Sequence, residues 1–181
     1  MIEPHHTLDH LAPLTETAAA AVVNRGHPDL PEIAAALQSA GAAVLVDAGQ
    51  AEATGGDGMA DGVHVSGALE ARQEVLRSRG GDGSVGVTAQ NRHEAMLLGE
   101  AGADYIWCAA GPALSALEAA ELCAWWSALF EVPAVMAGPL SEVEDLCATG
   151  ADFIAVTDLL EQRDRAAALA RVLAALGEAA G

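Results

Sequence analysis

Gly150-Ala151-Asp152-Phe153-Ile154-Ala155-Val156 decides the fold: a turn, a small residue, an aspartate, then a short run of β-formers. The same order occurs upstream as Gly102-Ala103-Asp104-Tyr105-Ile106-Trp107 and, more loosely, as Met59-Ala60-Asp61-Gly62-Val63-His64-Val65. The copies recur about every two strand-helix units, the spacing that a duplicated quarter of a barrel gives. Each aspartate precedes its strand, opposite the end that carries chemistry in a (β/α)8 barrel. Turn formation or hydrogen bonding at the start of the strand is therefore its expected role.

Outward from these blocks, β-rich runs alternate with Ala- and Leu-rich amphipathic stretches. Strands are expected over residues 20–24, 43–47, 62–66, 84–88, 105–109, 134–138 and 153–157. Helices are expected over 30–40, 69–79, 92–101, 113–130, 141–149 and 159–180. Such alternation predicts a parallel α/β sheet with right-handed crossovers, here a TIM-barrel type (β/α)8 domain over residues 19–181. Residues 1–18 read as an irregular or helical N-terminal segment, with a short helix over 7–17 interrupted by Pro13. The first strand of the barrel is thus either absent or replaced. A sheet edge left open there needs cover, from the N-terminal segment or from a homodimer contact. Ser141 and Glu144 have capping-box spacing, and Gly41, Gly102 and Gly150 stand where helices need a left-handed C-terminal cap.

The 181 residues carry a net charge of −18, with eight arginines and no lysine. Lysine Schiff bases and lysine-bearing phosphate loops are excluded, and so large an acidic excess leaves no basic footprint for nucleic acid or an anionic membrane. No apolar run is long enough to span a bilayer and no basic-then-apolar leader opens the chain, so a cytoplasmic location is expected. Cys108, Cys123 and Cys147 are too scattered for a disulfide framework or a zinc knuckle and read as small buried residues.

In a barrel of this type the chemistry sits where strands end and their following loops begin. Those positions hold Asn24, Arg25 and His27; Asp47; His64 and Ser66; Thr88 and Gln90; Gly138; Thr157 and Asp158. His64 is a potential acid, base or ligand, yet it lies between Val63 and Val65, so a hydrogen-bonded interior histidine is the first expectation. Asp47 ends an apolar strand, where a carboxylate needs a partner or water, and it could line a site. His5, His6 and His10 fall in a segment expected to be mobile, which makes a metal cluster there an unfavoured reading. No Gly-x-Ser-x-Gly elbow, phosphate loop, His-Glu-x-x-His or dinucleotide fingerprint is present, and Gly80-Gly81-Asp82-Gly83 reads as a turn.

The order of several blocks resembles the thiamine phosphate synthase and TenI family. They are Asp61-Gly62-Val63-His64-Val65, Val85-Gly86-Val87-Thr88-Ala89, Glu94-Ala95, Gly102-Ala103-Asp104-Tyr105-Ile106, Trp125-Trp126, Val132-Pro133-Ala134-Val135 and Gly150 to Val156. The resemblance implies a (β/α)8 barrel. It also implies either a transferase joining a pyrimidine pyrophosphate to a thiazole phosphate with magnesium, or a TenI-like isomerase acting on the thiazole. Of the family's Gln-x-Arg-x-Lys only Arg25 survives, with Asn24 before it and His27 at the lysine position. The Asn-Asp pair becomes Asp47-Ala48, Glu70 is the nearest substitute for the second metal-binding acid, and the long Phe-Pro-Thr-Thr-Lys loop is reduced to Cys108-Ala109-Ala110-Gly111-Pro112.

The phosphate end is altered on physical grounds as well. Backbone N–H groups after the last two strands hold barrel phosphates, but Pro139 has none and Asp158 brings a negative charge. Two like charges at about 4 Å cost on the order of 4 kcal/mol at an effective dielectric near 20. The leading expectation is a divergent family barrel, inactive as a synthase or re-purposed for a small molecule, with no cofactor. An active synthase would use Arg25, Asp47, Glu70 and Thr88 with magnesium. A metal-free tautomerase-like enzyme would need His64 or Asp47 open to a cavity, and a non-enzymatic interaction protein would use a surface around Trp125 and Trp126.

Overall fold

A computed structural model describes residues 1–3, 6, 18–49, 59–79 and 83–179. The elements are β1 (Ala20–Asn24), α1 (Leu30–Ser39), β2 (Ala43–Gly49), β3 (Gly62–Val65), α2 (Leu69–Ser78), β4 (Ser84–Thr88), α3 (Arg92–Glu100), β5 (Tyr105–Ala109), α4 (Ala116–Leu129), β6 (Ala134–Gly138), α5 (Val143–Cys147), β7 (Phe153–Val156) and α6 (Arg165–Ala179). Short 3-10 turns cover Leu140–Glu142 and Leu159–Glu161. The strands follow chain order in one sheet, and the pairs β1–β2, β2–β3, β5–β6 and β6–β7 are parallel. The chain divides into two compact units, Met1–Gly86 and Val87–Gly181.

In the first unit, Val23, Val44 and Val65 of the strands are buried together with Ile33 and Leu37 of α1. Pro31 stands in the first turn of α1, where its missing N–H costs nothing, and Ile33, Ala34 and Leu37 form the buried stripe. Before β1 there is no full strand among the described residues. A one-residue parallel bridge joins Ile2 to Val23, with Ile2 N–H donating to Val22 O and Asn24 N–H donating to Ile2 O, each at 2.8 Å. An N-terminal residue thus supplies cover at this edge. Asp61, one of the repeated aspartates, accepts from Val44 N–H at 2.8 Å and from the Gln38 amide at 3.0 Å, tying the starts of β2 and β3 together. Those bonds, the Val44 one foremost, hold its carboxyl below the usual range.

The second unit repeats the device. Asp152 accepts from Ala134 N–H at 2.8 Å and ties the starts of β6 and β7. Gly102 and Gly150 carry φ of 94° and 72°, the left-handed turns expected between helix and strand. Trp126 is 1% exposed, donates its indole N–H to Val132 O at 2.7 Å and stacks on Phe130 with centroids 4.0 Å apart. Trp125 is half-buried beneath the Arg92 guanidinium. All three cysteines are buried and free, as their scatter predicted.

Three local expectations fail. Ser141 and Glu144 do not form a capping box: a 3-10 turn begins at Leu140 directly after extended Pro139, which places Ser141 inside it. Glu144 instead pairs with Arg171 of α6 at 2.7 Å. The capping box is at Ser115 and Glu118, opening α4 three residues later than expected. The last helix likewise starts at Arg165 rather than at 159, where Asp164 accepts from Ala167 N–H at 3.0 Å and stops the helix extending backward. The expected short helix over 7–17, His5, His10 and the turn at 80–82 lie outside the described residues.

Candidate functional site

In the first unit, polar groups gather at the C-terminal ends of β1 to β3. Asn24 is the last residue of β1. Its Oδ1 accepts from Gly26 N–H at 2.8 Å, closing the turn that carries exposed Arg25, and its Nδ2 donates to Glu3 Oε2 at 3.3 Å. His27 follows, 4% exposed. Its Nδ1 accepts from Asp29 N–H at 3.1 Å, so the ring proton sits on Nε2, which donates to His6 O at 2.9 Å. Both side chains expected to hold a ligand therefore contact the N-terminal residues.

Of the three N-terminal histidines, His6 lies among the described residues. It is 4% exposed, and its Nδ1 accepts from Glu3 N–H at 3.0 Å.

Asp47 and His64 are cross-strand partners on β2 and β3. Asp47 is half-buried, and its Oδ1 accepts from Gly49 N–H at 3.0 Å across the irregularity that ends β2. His64 is 3% exposed, and burial drives its pKa down to about 4, with the Asp47 charge opposing the shift. At neutral pH it is an uncharged imidazole with very little surface for a substrate. Ser66 follows β3 half-buried, and Glu70 lies exposed in the first turn of α2. Among the described residues no three His, Cys, Asp or Glu side chains converge as a metal site.

In the second unit, Thr88 ends β4 half-buried, and exposed Gln90 donates its backbone N–H to Glu94 Oε2 at 3.2 Å. Gly138, Thr157 and Asp158 come together where β6 and β7 end. Thr157 N–H donates to Gly138 O at 2.9 Å, and a Cβ on Gly138 would lie 2.8 Å from the end of the Leu146 side chain, which would have to shift. Asp158 Oδ1 accepts from Leu140 N–H at 2.7 Å, and its Oδ2 accepts from Gln162 Nε2 at 2.9 Å. The first free backbone donor after Pro139 is thus engaged by a carboxylate of the chain itself.

The sequence did not single out Leu140, Gln162 or Glu3, and it offered His6 only within an unfavoured metal cluster. For Leu140 a signal existed: Asp152 and Asp158 are six residues apart, as are their donors Ala134 and Leu140, so each bond joins residues 18 apart.

These features define a class: parallel α/β proteins of sequential strand-helix units, with candidate ligand groups collected at the C-terminal strand ends. Residues 28–160 match the family model described as thiamine monophosphate synthase, and the chain belongs to that family. It is 36% identical over 122 residues to the thiamine-phosphate synthase of Erythrobacter litoralis, covering 61% of this chain and 56% of that one. It is 40% identical over 105 residues to the enzyme of the same name from Rhodospirillum centenum, covering 53% of this chain and 50% of that one. The chain spans about half the length of these curated relatives. In fold it is similar to the solved thiamine phosphate pyrophosphorylase from Pyrococcus furiosus, at a TM-score of 0.73 and 19% identity, over 99% of this chain and 95% of that one.

Proposed function

We propose that this chain is a re-purposed member of the family that does not act as a thiamine phosphate synthase and that takes a small molecule without a phosphate at the β6–β7 end. The observation carrying the reading is the 2.7 Å bond from Leu140 N–H to Asp158. A phosphate binds at such an end by collecting backbone N–H groups. Here the donor is already turned onto a carboxylate, which repels a second anion. The absence of lysine leaves only arginine to offset that repulsion.

Of the acids that the resemblance offers to magnesium, Asp47 accepts from Gly49 N–H at its own strand end and Glu70 is exposed, and no three His, Cys, Asp or Glu side chains converge among the described residues. The reading takes the fold as the family's eight-stranded barrel with the first strand reduced to the Ile2 bridge. Incubation with the pyrimidine pyrophosphate, the thiazole phosphate and magnesium is expected to yield no thiamine phosphate. Clear production of it contradicts the reading.

A further inference from the structure

We infer that the ligand group seated against Asp158 is a protonated amine, so that the small molecule taken at the β6–β7 end is cationic there. This rests on the reading above that no phosphate binds at that end, and adds the charge of what does. Asp158 is half-buried, and its two oxygens meet neutral donors: Oδ1 accepts from Leu140 N–H at 2.7 Å and Oδ2 from the Gln162 amide at 2.9 Å. Among the described residues no arginine or histidine pairs with it. Arg165, which opens the following helix, turns its Nε onto Leu160 O at 2.9 Å, and Arg171 pairs with Glu144 at 2.7 Å. A carboxylate withdrawn in part from water is stabilised by a counter-charge, and here the chain supplies none.

The groups left over around that charge accept rather than donate. Gln162 Nε2 donates twice, to Asp158 Oδ2 at 2.9 Å and to Asp158 O at 3.2 Å. Both partners are acceptors, which fixes the orientation of the amide and leaves its Oε1 as a further acceptor. A carboxylate has about four lone-pair sites, and two are used here. The backbone donors of the same end are engaged: Leu140 N–H on Asp158 and Thr157 N–H on Gly138 O, while Pro139 has none. An ammonium group carries three donors and no acceptor, the complement of this set. A metal ion asks for more oxygen ligands, and no three His, Cys, Asp or Glu side chains converge among the described residues. The net charge of −18 draws cations toward the whole surface, and the clamped Asp158 gives one of them a fixed partner.

Nuclear magnetic resonance of the full chain tests this with n-butylammonium chloride and 1-butanol, which share a tail and differ in charge. The reporters are the Leu140 backbone amide and the Gln162 side-chain amide, both bonded to Asp158. The Ala134 amide, bonded to Asp152 at the opposite end of the strands, reports general attraction of cations to an acidic surface. Butylammonium is expected to shift both reporters saturably and to leave Ala134 unmoved, with butanol at least about tenfold weaker. Asp158→Asn keeps an acceptor for Leu140 N–H and can meet a flipped Gln162 amide, and it is expected to weaken butylammonium about tenfold. Equal midpoints for the two probes, an unchanged midpoint in Asp158→Asn, an equal shift at Ala134 or no saturable shift each overturn the inference and leave the reading without phosphate standing. That reading falls instead if the thiazole phosphate shifts the same two reporters at lower concentration than butylammonium does.

Discussion

The two ends of the β6–β7 pair are tied by the same bond for different ends. At the start of the strands, Asp152 accepts from Ala134 N–H at 2.8 Å. Where they finish, Asp158 accepts from Leu140 N–H at 2.7 Å. The lower tie has a counterpart on β2–β3, where Asp61 accepts from Val44 N–H, so it belongs to the repeating scaffold. At the upper end of β2–β3 the nearest carboxylate, Asp47, binds Gly49 two residues along its own strand end and leaves the neighbouring strand's loop alone. A bond repeated along the sheet is explained by the fold. The one at Asp158 lies at the strand ends where, in the proposed reading, a phosphate would otherwise collect its donors.

The largest effect bounding this comparison comes from a residue at neither end. His64, buried on β3 with a pKa near 4, ordinarily titrates near 6.5 when exposed. Between those values the unfolded chain binds the extra proton, so stability falls as pH drops from 6.5 to 4 and this contribution then stops changing. The loss at pH 4 is about 3 kcal/mol by linkage. Urea unfolding of the wild-type protein and of His64→Gln at pH 7 and pH 4 checks it, because the acid sensitivity of the wild-type protein should exceed that of the variant. Equal sensitivity in the two would remove His64 from the account.

Next in size is the lower tie. Asp152→Ala leaves the N–H of fully buried Ala134 without its acceptor, at a cost of about 2 kcal/mol. Asp61→Ala leaves buried Val44 in the same position, although Asp61 also holds Gln38. Similar losses in urea midpoint for both would place the two ties on one footing. A neutral outcome at either would break the claim that the repeat is structural.

The upper tie should matter least to stability. Asp158 is half-buried, and water can replace its bonds to Leu140 and Gln162, so Asp158→Ser is expected to cost about 1 kcal/mol or less. A loss equal to that of Asp152→Ala would mean that Asp158 is simply another scaffold clamp.

The sequence made the lower ends of the strands legible and the upper ends only partly so. Strands β1, β4, β5 and β6 have the bounds that their β-branched runs predict, and the glycines at 102 and 150 turn left-handed because the chain must reverse there. Asp61 and Asp152 were readable because their block recurs in the sequence, and each ties the starts of two neighbouring strands. The Ile2 bridge was not, since a single bridging isoleucine has no periodicity. The misplaced capping box has a similar cause: Ser141 and Ser115 share one local spacing, and only Pro139 and Arg171 decide which serine caps a helix. Asn24 and His27 were correctly placed at a strand end, but their contacts to Glu3 and His6 join residues 21 apart and left no local trace.

The central claim is that Asp158 occupies the phosphate position, and calorimetry with the thiazole phosphate tests it most directly. Wild-type protein is expected to give no heat at millimolar ligand, and Asp158→Ser to bind at least about tenfold more tightly once the like charge is gone. Equal affinities in the two proteins, measurable or not, would contradict it.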